Sequence, residues 1–237
     1  MKQDRRDFLQ AAAALGAAGF GGALTSAAAD AKKAKKKPAP KEEEDVSPAE
    51  DLMREHGVLK RVLLVYGESL RRLDAGEELP PEALSDAAKI IRSFIEDYHE
   101  KLEEDFLFPR FRKANKLVDL VDVLSAQHQA GRRVTDTTLR FSTLQAMRNP
   151  AERKALADSL RAFIRMYGPH EAREDTILFP AFRKIVSANE YDALGDQFEG
   201  KEHQLFGEDG FEKMVDRVAG IEKKLGIYEL AQFTPKA

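Results

Sequence analysis

The chain reads as an all-α protein: an up-down-up-down four-helix bundle with a pseudo-twofold internal repeat and short C-terminal helices. Three observations carry this. Apolar residues recur in alternating steps of four and three along two long stretches, which is the inward seam of a bundle helix. No sustained alternating run appears, so strand signals are missing. And residues 99–113, HEKLEEDFLFPRFRK, return 71 positions later at residues 170–184 as HEAREDTILFPAFRK. Two helices followed by their near copies give four long helices with short connections.

The elements follow in order. Ser47-Pro48-Ala49-Glu50 opens the first helix, with Ser as N-cap, Pro at the first helical position and Glu three residues after the cap. Leu52, His56, Leu59, Leu63, Tyr66, Leu70 and Leu73 form its seam, so His56 points inward, and the helix ends near Asp74-Ala75-Gly76. Pro80-Pro81 opens the second helix, which runs to about Asn115 with Ile91, Ile95, His99, Leu102 and Phe106 on one face and a kink at Pro109. The third begins near Leu117, carries Val121, Leu124 and His128 inward, and continues to about Met147. Asn149-Pro150-Ala151-Glu152 repeats the capping pattern and starts the fourth, whose seam is Leu156, Leu160, Phe163, Tyr167, His170, Glu174 and Ile177. A kink is expected at Gly168-Pro169. From about Asn189 to Ile227, one or two shorter helices are broken up by Gly195, Gly200, Gly207 and Gly210.

Composition narrows the chemistry. A length of 237 residues, 43% hydrophobic and 33% charged, suits one soluble helical domain with appendages. A net charge of −3 gives no electrostatic case for nucleic acid. Cysteine is absent, which removes disulfides, thiolate metal sites and iron–sulfur clusters, so any metal must be held by nitrogen and oxygen.

Histidine and carboxylate spacing points to such a metal. Four of the five histidines fall into two equivalent sets, His56 with His99 and His128 with His170. Residues four apart on a helix share a face, so His99 projects with Glu103 and His170 with Glu174. Imidazole and carboxylate together suit iron, manganese or zinc better than calcium or magnesium, and a carboxylate can bridge two ions. His203 lies outside the repeat: it or Glu202 would fold back to complete the coordination, or it is a surface or lid residue. Tyr167, one turn before His170, is read as core, with a hydrogen-bond donor behind the ligands or a ligand as the alternatives. Glu100 and Glu171, which directly follow their histidines, either orient imidazoles or stay solvated. The Leu-Phe-Pro steps, with Phe108 and Phe179, are read as helix-end packing.

The order His56, His99-x-x-x-Glu103, His128, His170-x-x-x-Glu174 resembles the hemerythrin-like, or HHE cation-binding, domain over roughly residues 50–190. The resemblance implies a bundle around two bridged iron ions, with manganese or zinc less suited. His56 and His99 would hold one iron, His128 and His170 the other, and Glu103 and Glu174 would bridge. Oxygen-carrying members have a His-x-x-x-His pair on the third helix, where this chain has Arg132, and His-x-x-x-x-Asp on the fourth, where it has His170-x-x-x-Glu174. That departure leans away from reversible oxygen carriage and towards redox reactions with oxygen, peroxide or nitric oxide, or iron handling.

The N-terminus adds a destination. Asp4-Arg5-Arg6-Asp7-Phe8-Leu9-Gln10, followed by an Ala/Gly-rich stretch to Ala29, resembles a twin-arginine export signal over residues 1–29. It implies the twin-arginine export machinery as partner, an exported, periplasmic or extracytoplasmic location, and no stable membrane span. Residues 30–46 read as a charged disordered linker, and the bundle with its extension occupies residues 47–237.

Overall fold

In the computed structural model, which describes residues 46–235, helices are the only regular elements among the described residues. The expected export signal and nearly all of the linker lie outside that range. None of the described helices is long and apolar enough to cross a membrane.

Helix α1 (Pro48–Ala75) starts where the Ser47 hydroxyl accepts the Glu50 N–H at 3.3 Å, and it ends on Gly76 at φ 67°, a left-handed position suited to glycine. Helix α2 spans 81–113. Helix α3 (Val118–Phe141) stops short of the expected Met147. The Ser142 hydroxyl turns back to the Thr138 carbonyl at 2.6 Å, and Thr143 caps a separate short helix, α4 (Leu144–Arg148). Helix α5 spans 150–185 and begins with Asn149 Oδ1 accepting the N–H groups of Ala151 and Glu152. Helices α6 (Ala188–Phe206) and α7 (Gly210–Lys224) follow. Helix α6 runs unbroken through Gly195 and Gly200, contrary to the sequence expectation, and the chain turns only at Gly207, φ 75°. Helix interiors tolerate glycine when flanking residues such as Leu194 and Phe198 are buried.

Packing closes a ring: α1 lies against α2 and α5, and α3 lies against α2 and α5. Their shared interior is apolar at one level, where the Tyr66 and Phe163 rings meet edge to face at 5.3 Å. Helix α7 covers α1 and α2, and α6 packs on α1 and α7. Tyr191 of α6 ties down the start of α1 by accepting the Ala49 N–H at 3.3 Å.

The expected proline kinks take a different form. Helix α5 keeps α geometry through Pro169 to Arg173, then widens into a π turn at Glu174–Leu178. Helix α2 does the same at Glu103–Leu107, after an earlier π stretch at Ile91–His99. In each repeated turn a Phe N–H reaches the carbonyl five residues back, Phe108 to Glu103 and Phe179 to Glu174. Pro109 and Pro180 come next. A proline brings no N–H and its ring collides with the carbonyl four residues earlier, so widening the preceding turn relieves the clash. The extra residue moves the seam on by one. Ile177, expected inward, is 44% exposed, and Leu178 takes its place at 0%. Likewise Leu107 is fully buried while Phe106 turns aside against Phe198 of α6.

This shift is testable by paired truncation. Leu178→Ala should cost about 2–5 kcal/mol in denaturant unfolding, whereas Ile177→Ala should stay within about 0.5 kcal/mol of wild type. Equal costs would contradict the shifted register.

Candidate metal centre

The ring of four helices brings His56 (α1), His99 and Glu103 (α2), His128 (α3), and His170 and Glu174 (α5) to one interior point, where each is 0–3% exposed. The Nε2 atoms face the two carboxylates. Glu174 presents one oxygen to each side, with Oε2 3.3 Å from His56 and Oε1 3.0 Å from His170. Glu103 Oε2 stands 3.4 Å from His128 and 3.9 Å from His99. Two groups form on this basis, His56 with His99 and His128 with His170, and Glu174 belongs to both.

Behind the imidazoles, each Nδ1 meets an acceptor from the neighbouring helix. Glu55 of α1 takes His99 at 2.6 Å, Glu104 of α2 takes His128 at 3.2 Å, Gln127 of α3 takes His170 at 2.8 Å, and Asp175 of α5 takes His56 at 2.7 Å. Every helix of the ring thus orients the histidine of the next. These bonds assign the proton to Nδ1 and leave Nε2 with its lone pair turned inward.

Sequence reasoning missed all four acceptors, although they share the repeat: Glu55 and Gln127 directly precede the solitary histidines, and Glu104 and Asp175 directly follow the inward glutamates. Glu100 and Glu171 do something else. Glu100 accepts the Tyr167 hydroxyl at 2.6 Å and pairs with Arg132 at 2.8 Å, and Glu171 pairs with Lys60 at 3.3 Å. Arg132 also reaches Glu104 at 2.8 Å, so it steadies the acceptor behind His128. Tyr167 is buried, as expected, but its hydroxyl serves this network. Gly131 makes that possible, because a Cβ there would lie 2.1 Å from the Tyr167 hydroxyl. The Leu-Phe-Pro phenylalanines do more than end a helix: Phe179 stacks on His56 with centroids 5.5 Å apart, and Phe108 on His128 at 5.4 Å. The role expected of His203 is corrected. It is exposed on α6 and takes no part in the convergence, because helical geometry turns its neighbour Glu202 inward instead.

The donor set fits a metal. All four oxygens of Glu103 and Glu174, and His128 Nε2, are buried without a hydrogen-bond partner among the described protein groups. Burial, then the charges of Glu174, Glu100 and Glu55, push the Glu103 carboxyl well above the usual carboxylate range. Burial holds His99 and His128 below the ordinary imidazole value, hence neutral. Lone pairs facing one another across 3.0–3.9 Å repel. Donors ~2.1 Å from a common cation stand ~3–4 Å apart, so a metal between them turns that repulsion into ligation. His56 departs from the pattern: burial lowers its pKa, but the hydrogen bond to Asp175 and the Glu174 carboxylate 3.3 Å away outweigh this and lift it to about 9.

The description "Hemerythrin HHE cation binding domain" belongs to the family model that matches residues 47–182. An uncharacterized protein of Mycobacterium bovis is 53% identical over 196 residues, covering 83% of this chain and 77% of that protein. An uncharacterized protein of Mycobacterium tuberculosis strain H37Rv gives the same figures. No solved structure matches the chain.

Two outcomes follow from this geometry. With its folded pKa raised from 6.5 to about 9, His56 contributes stability to the metal-free fold that is full below pH 6.5 and lost as pH rises through about 9. Asp175→Asn should flatten that fall in metal-free unfolding measured from pH 6.5 to 9, and an unchanged slope would rule His56 out as its source. Gly131→Ala should cost about 1–3 kcal/mol by overpacking against Tyr167, read from denaturant midpoints.

Proposed function

Because the chain belongs to the hemerythrin HHE cation-binding domain family, we propose that its up-down-up-down bundle holds two iron ions and reacts with small ligands, namely oxygen, peroxide or nitric oxide. The observation that carries this reading is Glu174, which turns one oxygen to each histidine pair. In this assignment His56 and His99 hold one iron, His128 and His170 the other, and Glu103 and Glu174 bridge. A ferrous pair, when bound, supplies electrons for reducing oxygen or peroxide.

The chain's own residues supply orientation, exclusion of water and a place for a proton. The Nδ1 acceptors fix the imidazoles. Phe108 and Phe179 stack on the histidines, and each donor is at most 3% exposed, so the buried centre suits small ligands. Burial, opposed by the Tyr167 hydrogen bond and Arg132, lifts Glu100 to about 8. Glu100 therefore gains or releases a proton near neutral pH, 2.6 Å from the Tyr167 hydroxyl.

The two halves are not equal. Carboxylates back both histidines of the first, Glu55 and Asp175. The second has neutral Gln127 and a Glu104 already engaged by Arg132 and Lys101. Carboxylate acceptors make imidazoles better donors, so the first half binds iron more tightly. A second reading, a non-catalytic carrier, sensor or iron store, is favoured by the closure of the site. Consumption of peroxide separates the two. Export to the periplasm by the twin-arginine machinery is part of the proposal and rests on Arg5, Arg6, Phe8 and Leu9.

Anaerobic reconstitution of the full chain should give two iron ions per chain, and less than about one would sink the two-metal reading. Glu174→Ala should bring iron below one per chain, because both pairs lose a shared ligand. Glu100→Ala should keep both ions yet alter the pH profile of peroxide or oxygen consumption near 8. Equal metal loss in both variants would contradict the assignment.

A further inference from the structure

A surface groove of about 250 Å³ lies between the start of α1 and the end of α5. Ala49 and Met53 line it from α1, Phe179 and Pro180 from α5, and Glu50 and Arg183 bring opposite charges to it. Met53 stands one turn before His56 on the same helix. Phe179 is 1% exposed, and the same ring stacks on His56 with centroids 5.5 Å apart and planes 25° apart. One aromatic ring thus stands between the groove and a histidine of the centre.

The second half of the repeat treats the corresponding place differently. At the offset that takes His56 to His128, Ala49 matches Val121 and Glu50 matches Asp122. At the offset of the doubled phrase, Phe179 and Arg183 match Phe108 and Arg112. Arg112 spans the gap there, with Nη2 2.9 Å from Asp122 Oδ1, and Val121 is fully buried. In the first half Ala49 is smaller and only partly buried, and among the described residues no ion pair joins Arg183 to Glu50. The Arg183 guanidinium instead lies over the Tyr191 ring, 5.6 Å from its centroid, so α6, a helix outside the repeat, takes the cation that would otherwise bridge the groove.

We infer that this groove is the entrance to the metal centre, that Phe179 is its gate, and that an uncharged diatomic molecule, dioxygen or nitric oxide, is what passes. The inference rests on the reactivity proposed above and adds a route and a selectivity to it. Glu50 and Arg183 oppose each other in charge, so the groove favours neither anions nor cations. Met53, Pro180 and Phe179 offer apolar surface, against which a peroxide molecule would give up hydrogen bonds to water and a diatomic gas would not. The entrance serves the first half, so ligands reach the side of His56 and His99 before that of His128 and His170.

Dissolved oxygen is paramagnetic and broadens the NMR signals of nuclei it approaches, so the metal-free full chain reports the passage without any reaction. With labelled phenylalanine and histidine, broadening under oxygen pressure should be greater at Phe179 and His56 than at Phe108 and His128. Both phenylalanines are 1% exposed, so exposure alone predicts no difference. Met53→Trp should plug the groove and remove the excess, and because Met53 is 37% exposed the change leaves the core intact. Ala49→Val, which copies the residue of the spanned half, should reduce it as well. Equal broadening in the two halves, or an excess that survives both substitutions, overturns the entrance. In the iron-loaded chain, Met53→Trp should slow nitric oxide association and dissociation alike, by about tenfold or ~1.4 kcal/mol of barrier, at unchanged affinity and iron content. Unchanged rates at unchanged iron content would also overturn it. An iron content below one per chain would sink the two-metal reading alone and leave the metal-free measurement to decide the route.

Discussion

Four imidazoles and two carboxylates share an interior from which water is excluded, and the whole architecture answers to that constraint. A buried histidine can present one nitrogen inward only if its other nitrogen is satisfied. Here the satisfaction is circular. Glu55, Glu104, Gln127 and Asp175 each come from one helix and hold the histidine of the next, around to the start. The same four contacts that aim the donors therefore also set the rotation of each helix about its axis. Packing of leucine and phenylalanine brings the helices together, and this hydrogen-bonded cycle fixes the face each one turns inward.

Much of this was legible in the chain. The 71-residue repeat and the four–three seam place His56, His99, His128 and His170 inward, with Glu103 and Glu174 one turn on, and the structure gathers all six. The Ser47 and Asn149 caps fall where the sequence puts them. What escaped has a common cause. Period arguments assume an even turn, and the π turns before Pro109 and Pro180 insert one residue, which exchanges Ile177 for Leu178. The outer acceptors escaped because each serves the histidine of an adjacent helix, and sequence proximity to a histidine, as at Glu100 and Glu171, does not reveal which helix will lie alongside. Glu100 is neither the imidazole partner nor the solvated charge that the sequence offered as alternatives, because no reading along one helix reveals that Tyr167 and Arg132 converge on it from two others.

Symmetry in the sequence and symmetry in the chemistry are different things here. The repeat preserves donors but varies their support. Glu55 is matched by Gln127 in the second half, and Lys60 by Arg132, which reaches Glu104 as well as Glu100. A pair of equivalent positions thereby becomes a graded pair, with a strongly backed half next to Glu55 and a moderated half next to Arg132. Around Tyr167, Glu100 and Arg132, buried charge is kept because every member has a partner, which is the condition under which such networks persist in a core.

The cycle also says something about ancestry and assembly. Cut between α2 and α3, the chain would keep the Glu55–His99 contact in one piece and the Gln127–His170 contact in the other. The Glu104–His128 and Asp175–His56 contacts would run between pieces, as would those of Glu103 with His128 and Glu174 with His56. Neither helical hairpin owns a complete coordination set. Such interlocking is what two copies of a single hairpin achieve when they associate face to face, so the repeat reads as a homodimer whose subunits became covalently joined. Within one chain the halves are free to differ, and Gln127 against Glu55 and Arg132 against Lys60 are differences that an identical pair cannot carry on one side only.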